Sequence, residues 1–153
     1  MGSRSDLKVL QEALNLLEAL GVPHEAMIVS AHRTPDWMNE YARDLASRGI
    51  EVVIAAAGGA AHLPGMIAAQ TLLPVLGVPV EVGSLGGVDA LLSIVQMPRG
   101  VAVGTLAVGP AGAFNAALLA AQIVAGSRPE LKQRLAAWRE SRRAHVMADR
   151  SIR

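Results

Sequence analysis

The chain has 153 residues, 27 of them charged, no cysteine, and a formal net charge of +1. This length fits one domain with a sizeable core, and the charged amphipathic start argues against a secretory signal peptide, so we expect a cytoplasmic protein. Only four side chains are aromatic, which leaves almost no surface for stacking bases and argues against a nucleic-acid binder.

The predicted elements alternate between helix and strand along the chain. Apolar side chains at helical spacing predict a first helix over residues 7–20, and Thr34 followed by Pro35 predicts the start of a second that ends at Gly49. Short apolar runs predict strands at 26–29, 50–57, 75–80 and 101–106, with further helices near 66–72, 88–94, 111–125 and 129–146. Because runs that are apolar throughout are typical of parallel strands, we predict an α/β domain whose sheet has helices on both faces.

The loop at residues 2–6 lies at the start of the first predicted helix and carries two serines and an aspartate. Ligands of parallel α/β folds bind at the carboxyl ends of the strands, and a helix N-terminus favours an anion. Asp6 can also accept hydrogen bonds from sugar hydroxyls. Ser5 and Asp6 can equally do no more than cap the helix, and the spacing alone does not separate the two interpretations.

A second loop, at residues 30–35, combines a hydroxyl, an imidazole and a guanidinium after a predicted strand. Arg33 has the planar donor fork that suits phosphate. Histidine side chains such as His32 gain and lose a proton near neutral pH, which suits general acid/base catalysis. A lone histidine in a loop is often structural, so both roles stay open for His32.

His62 lies in a third loop, the Gly/Ala-rich turn at 58–65 that follows the most apolar predicted strand. Such a turn allows a backbone to come close to a ligand or to another chain. A hydrogen-bonded structural histidine fits this position equally well.

The motifs of other common site chemistries are missing from the sequence. There is no cysteine, no histidine pair at metal-ligand spacing and no G-x-x-x-x-G-K-[ST] loop, so we expect neither a metal nor a cofactor. The residues by themselves predict a domain that binds a small phosphorylated compound, with His32 as a candidate acid/base. They do not identify the compound.

Charge is distributed unevenly. Residues 52–127 carry only three charged side chains, and the stretches 52–80 and 100–127 are long enough to span a bilayer without any. Glycines and prolines interrupt both stretches, so we expect no membrane segment and instead another protein surface over this half. Residues 128–153 hold eight basic and three acidic side chains, and we interpret them as a solvated basic helical tail rather than a polyanion site.

Six motifs resemble the PurE family, the class I N5-carboxyaminoimidazole ribonucleotide mutases of purine biosynthesis. They are G-S-x-S-D at 2–6, S-A-H-R-T-P at 30–35, G-G-A-A-H-L-P-G at 58–65, L-P-V-L-G-V-P-V at 73–80, L-L-S-I-V-Q-M-P at 91–98, and G-T-L-A-V-G with N-A-A-L-L-A-A-Q-I within 104–123. The resemblance covers nearly the whole chain and implies one domain over 1–153. It further implies a three-layer α/β/α subunit of the flavodoxin/Rossmann-like type in a homo-octamer.

The family's activity is an isomerisation. The resemblance implies conversion of N5-carboxyaminoimidazole ribonucleotide to 4-carboxy-5-aminoimidazole ribonucleotide by decarboxylation and recarboxylation, without metal or ATP. Related carboxylases that use free CO2 typically have lysine at the position of Arg33, so the arginine favours the mutase. Two alternatives stay open: a PurE-like carboxylase acting on another nucleotide, and a non-catalytic oligomeric ribonucleotide-binding protein.

The resemblance also implies roles for individual residues in the motifs. By resemblance, Ser3, Ser30 and Arg33 bind the phosphate of the substrate, and Asp6 binds the ribose. His32 is the catalytic acid/base, and the pocket for the base and for CO2 is lined by His62, Gly58, Gly59 and Ala60. Family members begin with a short apolar strand that ends in I-M-G-S. Because Met1 stands at that methionine, we hypothesise that it is internal and that the native chain continues upstream into this strand.

Overall fold

The computed structural model describes residues 1–151, so the last two residues of the predicted basic tail lie outside the described part. Helices and strands alternate along it, as the apolar pattern predicts. In chain order they are α1 (Leu7–Ala19), α2 (Pro35–Asp44), β1 (Val53–Gly58), α3 (Leu63–Ala68), β2 (Val75–Val80), α4 (Val88–Val95), β3 (Gly104–Thr105), α5 (Pro110–Val124) and α6 (Pro129–Ala148). Two short 3-10 helices, Arg4–Asp6 and Gly83–Leu85, come before α1 and α4.

The three strands form one parallel sheet in the order β1-β2-β3. β1 and β2 pair over their whole length, with Val53 opposite Val75, and β2 is buried at every position. β3 is shorter than the predicted strand at 101–106, but the N–H of Leu106 donates to the carbonyl of Gly77 at 2.9 Å and continues the contact along β2. β2 is therefore the central strand of the sheet.

Helices cover both faces of the sheet. Ala56 and Val78 pack into one apolar core with α1 and α5, whereas Ala55 and Val75 pack into a second core with α2, α3 and α4. Neighbouring residues of a strand point to opposite faces, so each strand contributes to both cores. This arrangement confirms the predicted three-layer α/β/α fold with a parallel sheet.

The predicted strand at 26–29 is not a strand of the sheet in the structure. Among residues 1–151, its backbone hydrogen-bonds only to Met1: the amino group of Met1 donates to the carbonyl of Met27 at 3.1 Å, and the N–H of Val29 donates to the carbonyl of Met1 at 2.8 Å. A strand needs a ladder that continues over several residues. Val29 is buried, but Met27 and Ile28 are exposed, and the pairing of the segment stops after one residue.

Most of α6 is exposed, and Leu131 is its one buried residue. Phe114 and Trp138 hold it against α5, with ring centroids 6.0 Å apart. The Nε of Arg134 also donates to the carbonyl of Leu20 at 2.8 Å. Within residues 1–151, no helix is both long and apolar enough to cross a bilayer.

The close approach at the start of α5 predicts the effect of one substitution. A Cβ on Gly112 would lie 1.6 Å from the carbonyl oxygen of Ala107. Alanine normally stabilises a helix by about 1 kcal/mol relative to glycine, but here Gly112→Ala should lower the free energy of unfolding by about 2 kcal/mol or more. Chemical denaturation measures the change.

The matched control is Gly126→Ala, just beyond α5, where the nearest atom to the new Cβ would be 3.1 Å away. It should change the free energy of unfolding much less. A Gly112→Ala protein as stable as the parent would show that α5 does not pack this closely on residue 107.

Candidate active site

Three loops meet at one edge of the fold. They are residues 2–6, residues 30–34 and the turn that follows β1. The Nη2 of Arg33 donates to the carbonyl of Gly2 at 2.6 Å, which joins the first two loops. The Nε2 of His32 lies 2.8 Å from the Nδ1 of His62, which joins the second loop to the third. The third loop follows a strand of the parallel sheet, whereas the first two follow Met1 and Val29, whose backbones are hydrogen-bonded to one another.

The first loop is held by Asp6. Its carboxylate accepts the backbone N–H of Ser3 at 2.9 Å and the hydroxyl of Ser5 at 3.3 Å. The side-chain oxygens of Ser3 and Ser5 lie 2.5 Å apart, so the two hydroxyls form a pair. Asp6 is 6% exposed and is the one charged residue that is buried within residues 1–151. The carboxylate thus fixes the hydroxyl pair at the start of the helix.

In the second loop, hydrogen bonds hold the guanidinium of Arg33 in place. Its Nε donates to the hydroxyl oxygen of Ser30 at 3.0 Å, and its Nη2 donates to Gly2 as described above. Thr34 donates its hydroxyl to the carbonyl of Ser30 at 3.1 Å, just before Pro35 begins α2. A guanidinium has five N–H donors, and these contacts use two of them. The other donors remain for an anionic ligand.

The two histidines form a directly bonded pair. Their ring planes stand at 88° and their centroids are 4.8 Å apart. In such a contact one ring nitrogen must donate and the other must accept, so the bond cannot persist when both rings are fully protonated. The bond therefore couples the tautomers of the two rings, and it leaves the Nδ1 of His32 on the other side of the ring.

Close packing shapes the turn after β1. A Cβ on Gly58 would lie 2.4 Å from the Cγ2 of Val82 and 2.9 Å from the carbonyl oxygen of Val80. Gly59 has a φ of +63°, in the left-handed region that favours glycine. Ala60 is exposed at the tip of this turn. Side chains larger than hydrogen at 58 would push the turn, and His62 with it, away from its present position.

These hydrogen bonds link the loops that carry six of the residues that the sequence singled out: Ser3, Asp6, Ser30, His32, Arg33 and His62. The other three, Gly58, Gly59 and Ala60, lie in the turn just before His62. Two contributors were missed. Ser5 was not named among the site residues, although its hydroxyl contacts both Ser3 and Asp6. Gly2 contributes a carbonyl to Arg33, and no side-chain pattern can indicate a backbone contact of that kind.

Known proteins resemble this chain over almost its whole length. The family model for AIR carboxylase matches residues 1–145. The N5-carboxyaminoimidazole ribonucleotide mutase of Escherichia coli (strain K12) is 59% identical over 147 residues, which are 96% of this chain and 87% of that protein. The protein of the same name from Bacillus subtilis (strain 168) is 55% identical over 147 residues, 96% of this chain and 91% of the relative.

A solved structure shows that the fold of this chain is also that of a known protein. A crystal structure of Treponema denticola PurE superimposes with a TM-score of 0.88 and covers 97% of this chain and 92% of that one, at 25% sequence identity. The fold is thus retained where most side chains differ.

The position of Asp6 predicts a contrast between two substitutions. Asp6→Ala leaves the N–H of Ser3 without its partner and should lower the free energy of unfolding by about 2 kcal/mol. Asp6→Asn should lower it by less than half as much, because an amide can accept from Ser3 through its oxygen and donate to Ser5 through its nitrogen. Urea denaturation compares the two variants. Equal losses would show that the negative charge of Asp6, rather than its hydrogen bonds, stabilises the loop.

Proposed function

Because the chain belongs to the AIR carboxylase family, we propose that it is an N5-carboxyaminoimidazole ribonucleotide mutase of purine biosynthesis. The observation that carries this proposal is 59% identity to a mutase of that name over 96% of the chain. The site adds to it, because anion-binding groups and an acid/base pair lie together on one edge of the fold. The protein is an isomerase that moves a carboxylate within one ribonucleotide.

The phosphate of the substrate binds to Arg33, Ser3 and Ser30 in this proposal. The guanidinium of Arg33 is already oriented by Gly2 and Ser30 and keeps free donors. Little conformational entropy is then lost when phosphate arrives, which strengthens binding. The ribose binds to Asp6, whose carboxylate has about four lone-pair sites and uses two of them within the loop.

His32 handles the proton. Cleavage of the bond between the exocyclic nitrogen and the carboxylate releases CO2, and the nitrogen takes up a proton. The ring carbon then attacks CO2, the new carbon–carbon bond forms, and the proton on that carbon must leave. A single acid/base that donates in the first half and accepts in the second balances both steps, and His32 is of the right type. His62 orients the ring through their shared hydrogen bond.

The turn at Gly58, Gly59 and Ala60 suits the intermediate. CO2 is small and neutral, and it must stay beside the ring carbon until it reacts. A wall of backbone and methyl groups offers it no competing nucleophile. The carboxylate transfer needs neither a redox partner nor a second substrate, so no cofactor is part of the proposal.

We propose a homo-octamer, with exposed apolar side chains as the subunit contacts. Five large apolar residues on α4 and the segment before it are exposed: Val82, Leu85, Val88, Leu92 and Val95. They lie in the part of the chain that has only three charges. Contiguous apolar surface of this kind is typical of an interface. Because the substrate is a charged phosphate ester that does not cross membranes unaided, we place the enzyme in the cytoplasm.

A second candidate function follows from the description of the family. The matching model is described as AIR carboxylase, so a carboxylase that takes up free CO2 is the alternative. The two activities differ in what they consume. A mutase needs only the carboxylated nucleotide, whereas a carboxylase needs the decarboxylated one together with bicarbonate or CO2.

The first test compares those requirements. The purified protein should convert N5-carboxyaminoimidazole ribonucleotide to the 4-carboxy isomer at a rate that added bicarbonate does not change, because the CO2 never leaves the site. Carbon-13 bicarbonate in the buffer should leave the product largely unlabelled. Turnover only of aminoimidazole ribonucleotide with bicarbonate would favour the carboxylase, and binding without any turnover would favour a non-catalytic protein.

The second test addresses His32. His32→Asn should lower kcat by about 10²-fold or more, because an amide cannot take up or release the proton, while KM should stay within a few-fold. His145→Asn is the matched control, since His145 lies on the exposed helix α6. A near-normal kcat for His32→Asn would assign the proton transfer to another group.

A further inference from the structure

Ser5 has no part in the proposed reaction, yet its side chain lies between two groups that do. Its Oγ is 2.5 Å from the Oγ of Ser3 and 3.3 Å from the Oδ1 of Asp6. Ser5 is exposed, whereas Asp6 is buried. Packing in the core therefore does not explain why the Ser5 hydroxyl makes these two contacts.

The protons of the two hydroxyls cannot serve every contact at once. Each serine hydroxyl has one proton to donate, and an ionised carboxylate has none. If Ser5 donates to Asp6, then Ser3 must donate to Ser5, and both protons are used inside the loop. If Ser5 instead donates to Ser3, the carboxylate of Asp6 loses a donor and the proton of Ser3 becomes available to a ligand. The loop thus has two arrangements of the same hydroxyl groups.

A phosphate group selects between these two arrangements. In the proposed function it binds to Ser3 and Arg33, and the Nη2 of Arg33 already donates to the carbonyl of Gly2, next to Ser3. Phosphate oxygens are strong acceptors, so Ser3 has to donate its proton to them. That proton is available only when Ser5 donates to Ser3. Phosphate binding therefore turns the proton of Ser5 away from Asp6.

The Oδ1 of Asp6 is then left without a donor. Its Oδ2 still accepts the N–H of Ser3 at 2.9 Å, but among residues 1–151 the only hydrogen bond to Oδ1 comes from Ser5. Asp6 is 6% exposed, and a buried acceptor that has lost its donor is unfavourable. A ribose hydroxyl that donates to Oδ1 replaces the lost hydrogen bond. Phosphate at Ser3 thereby strengthens the binding of ribose at Asp6.

We propose that Ser5 is a positioning residue that couples phosphate binding to ribose binding without touching the substrate. This inference rests on the proposed function, which places the phosphate at Ser3 and the ribose at Asp6. Only the two hydroxyl protons rotate, and no covalent bond changes. Such coupling is reciprocal, so ribose at Asp6 equally strengthens the binding of phosphate. The site then favours a ribose that carries its own phosphate over either group alone.

The test compares two ligands that differ only in the phosphate. The first is the product ribonucleotide with a carboxamide in place of its carboxylate, and the second is the same riboside without its phosphate. Neither ligand can be decarboxylated, so the result does not depend on catalysis. Isothermal titration calorimetry measures both Kd values, and the Kd of the riboside divided by that of the ribonucleotide is the phosphate preference.

Three variants are compared with the parent chain. Ser5→Ala removes the hydroxyl, whereas Ser5→Thr keeps it. Ser47→Ala is the matched control, because the Oγ of Ser47 donates to the Oδ1 of Asp44 at 2.7 Å. It also takes a serine hydroxyl from an aspartate, but at the end of α2 that lies away from Arg33.

In Ser5→Ala the Oδ1 of Asp6 accepts from ribose whether or not phosphate is bound. The riboside should bind at least as tightly as it does to the parent, and the phosphate preference should fall about fivefold or more. Ser5→Thr and Ser47→Ala should keep the preference of the parent. Equal weakening of both ligands by Ser5→Ala would show that Ser5 only stabilises the loop, and unchanged Kd values would show that phosphate and ribose bind independently. Either result would overturn the proposal.

A different result would count against the proposed function itself. A parent chain that binds the riboside as tightly as the ribonucleotide would contradict phosphate binding at Ser3 and Arg33, and this inference would fail with it. A parent chain that prefers the ribonucleotide, together with an unchanged preference in Ser5→Ala, would contradict the coupling alone.

Discussion

Parallel strand pairing is the constraint on which the rest of the structure depends. β2 is buried at every position because a parallel strand is covered on both faces, and its pairing with β1 fixes where the turn after β1 lies. The hydrogen bonds of Met1 with Met27 and Val29 hold the starts of the other two loops, residues 2–6 and 30–34, side by side. Backbone pairing therefore sets where each of the three loops begins.

Side chains then lock the loops to one another. Asp6 fixes a pair of serine hydroxyls, Arg33 ties that loop to the next one, and His32 reaches His62 across 30 positions of the chain. Each of these groups has a second use in the proposed reaction. A guanidinium held by Ser30 and Gly2 is already oriented for phosphate, and a histidine held by another histidine is already oriented for proton transfer.

Much of this could be predicted from the sequence, and the exceptions have one cause. The runs at 50–57 and 75–80 became β1 and β2 because an apolar pattern reports burial directly. The run at 26–29 is equally apolar, yet it is no strand of the sheet and only Val29 of it is buried, because a strand depends on a neighbour that its own pattern does not describe. The contact of His32 with His62 could not be predicted from the sequence for the same reason, since it depends on how two distant loops are placed.

The central claim is that the three loops form one site, with phosphate at one end and proton transfer at the other. A crystal structure of the protein with bound 4-carboxy-5-aminoimidazole ribonucleotide tests it most directly. The account predicts the phosphate within about 3 Å of Arg33 and Ser3, the ribose beside Asp6, and the carboxylated ring carbon next to His32. A nucleotide whose phosphate makes no contact with Arg33, or whose ring lies away from His32, would contradict it.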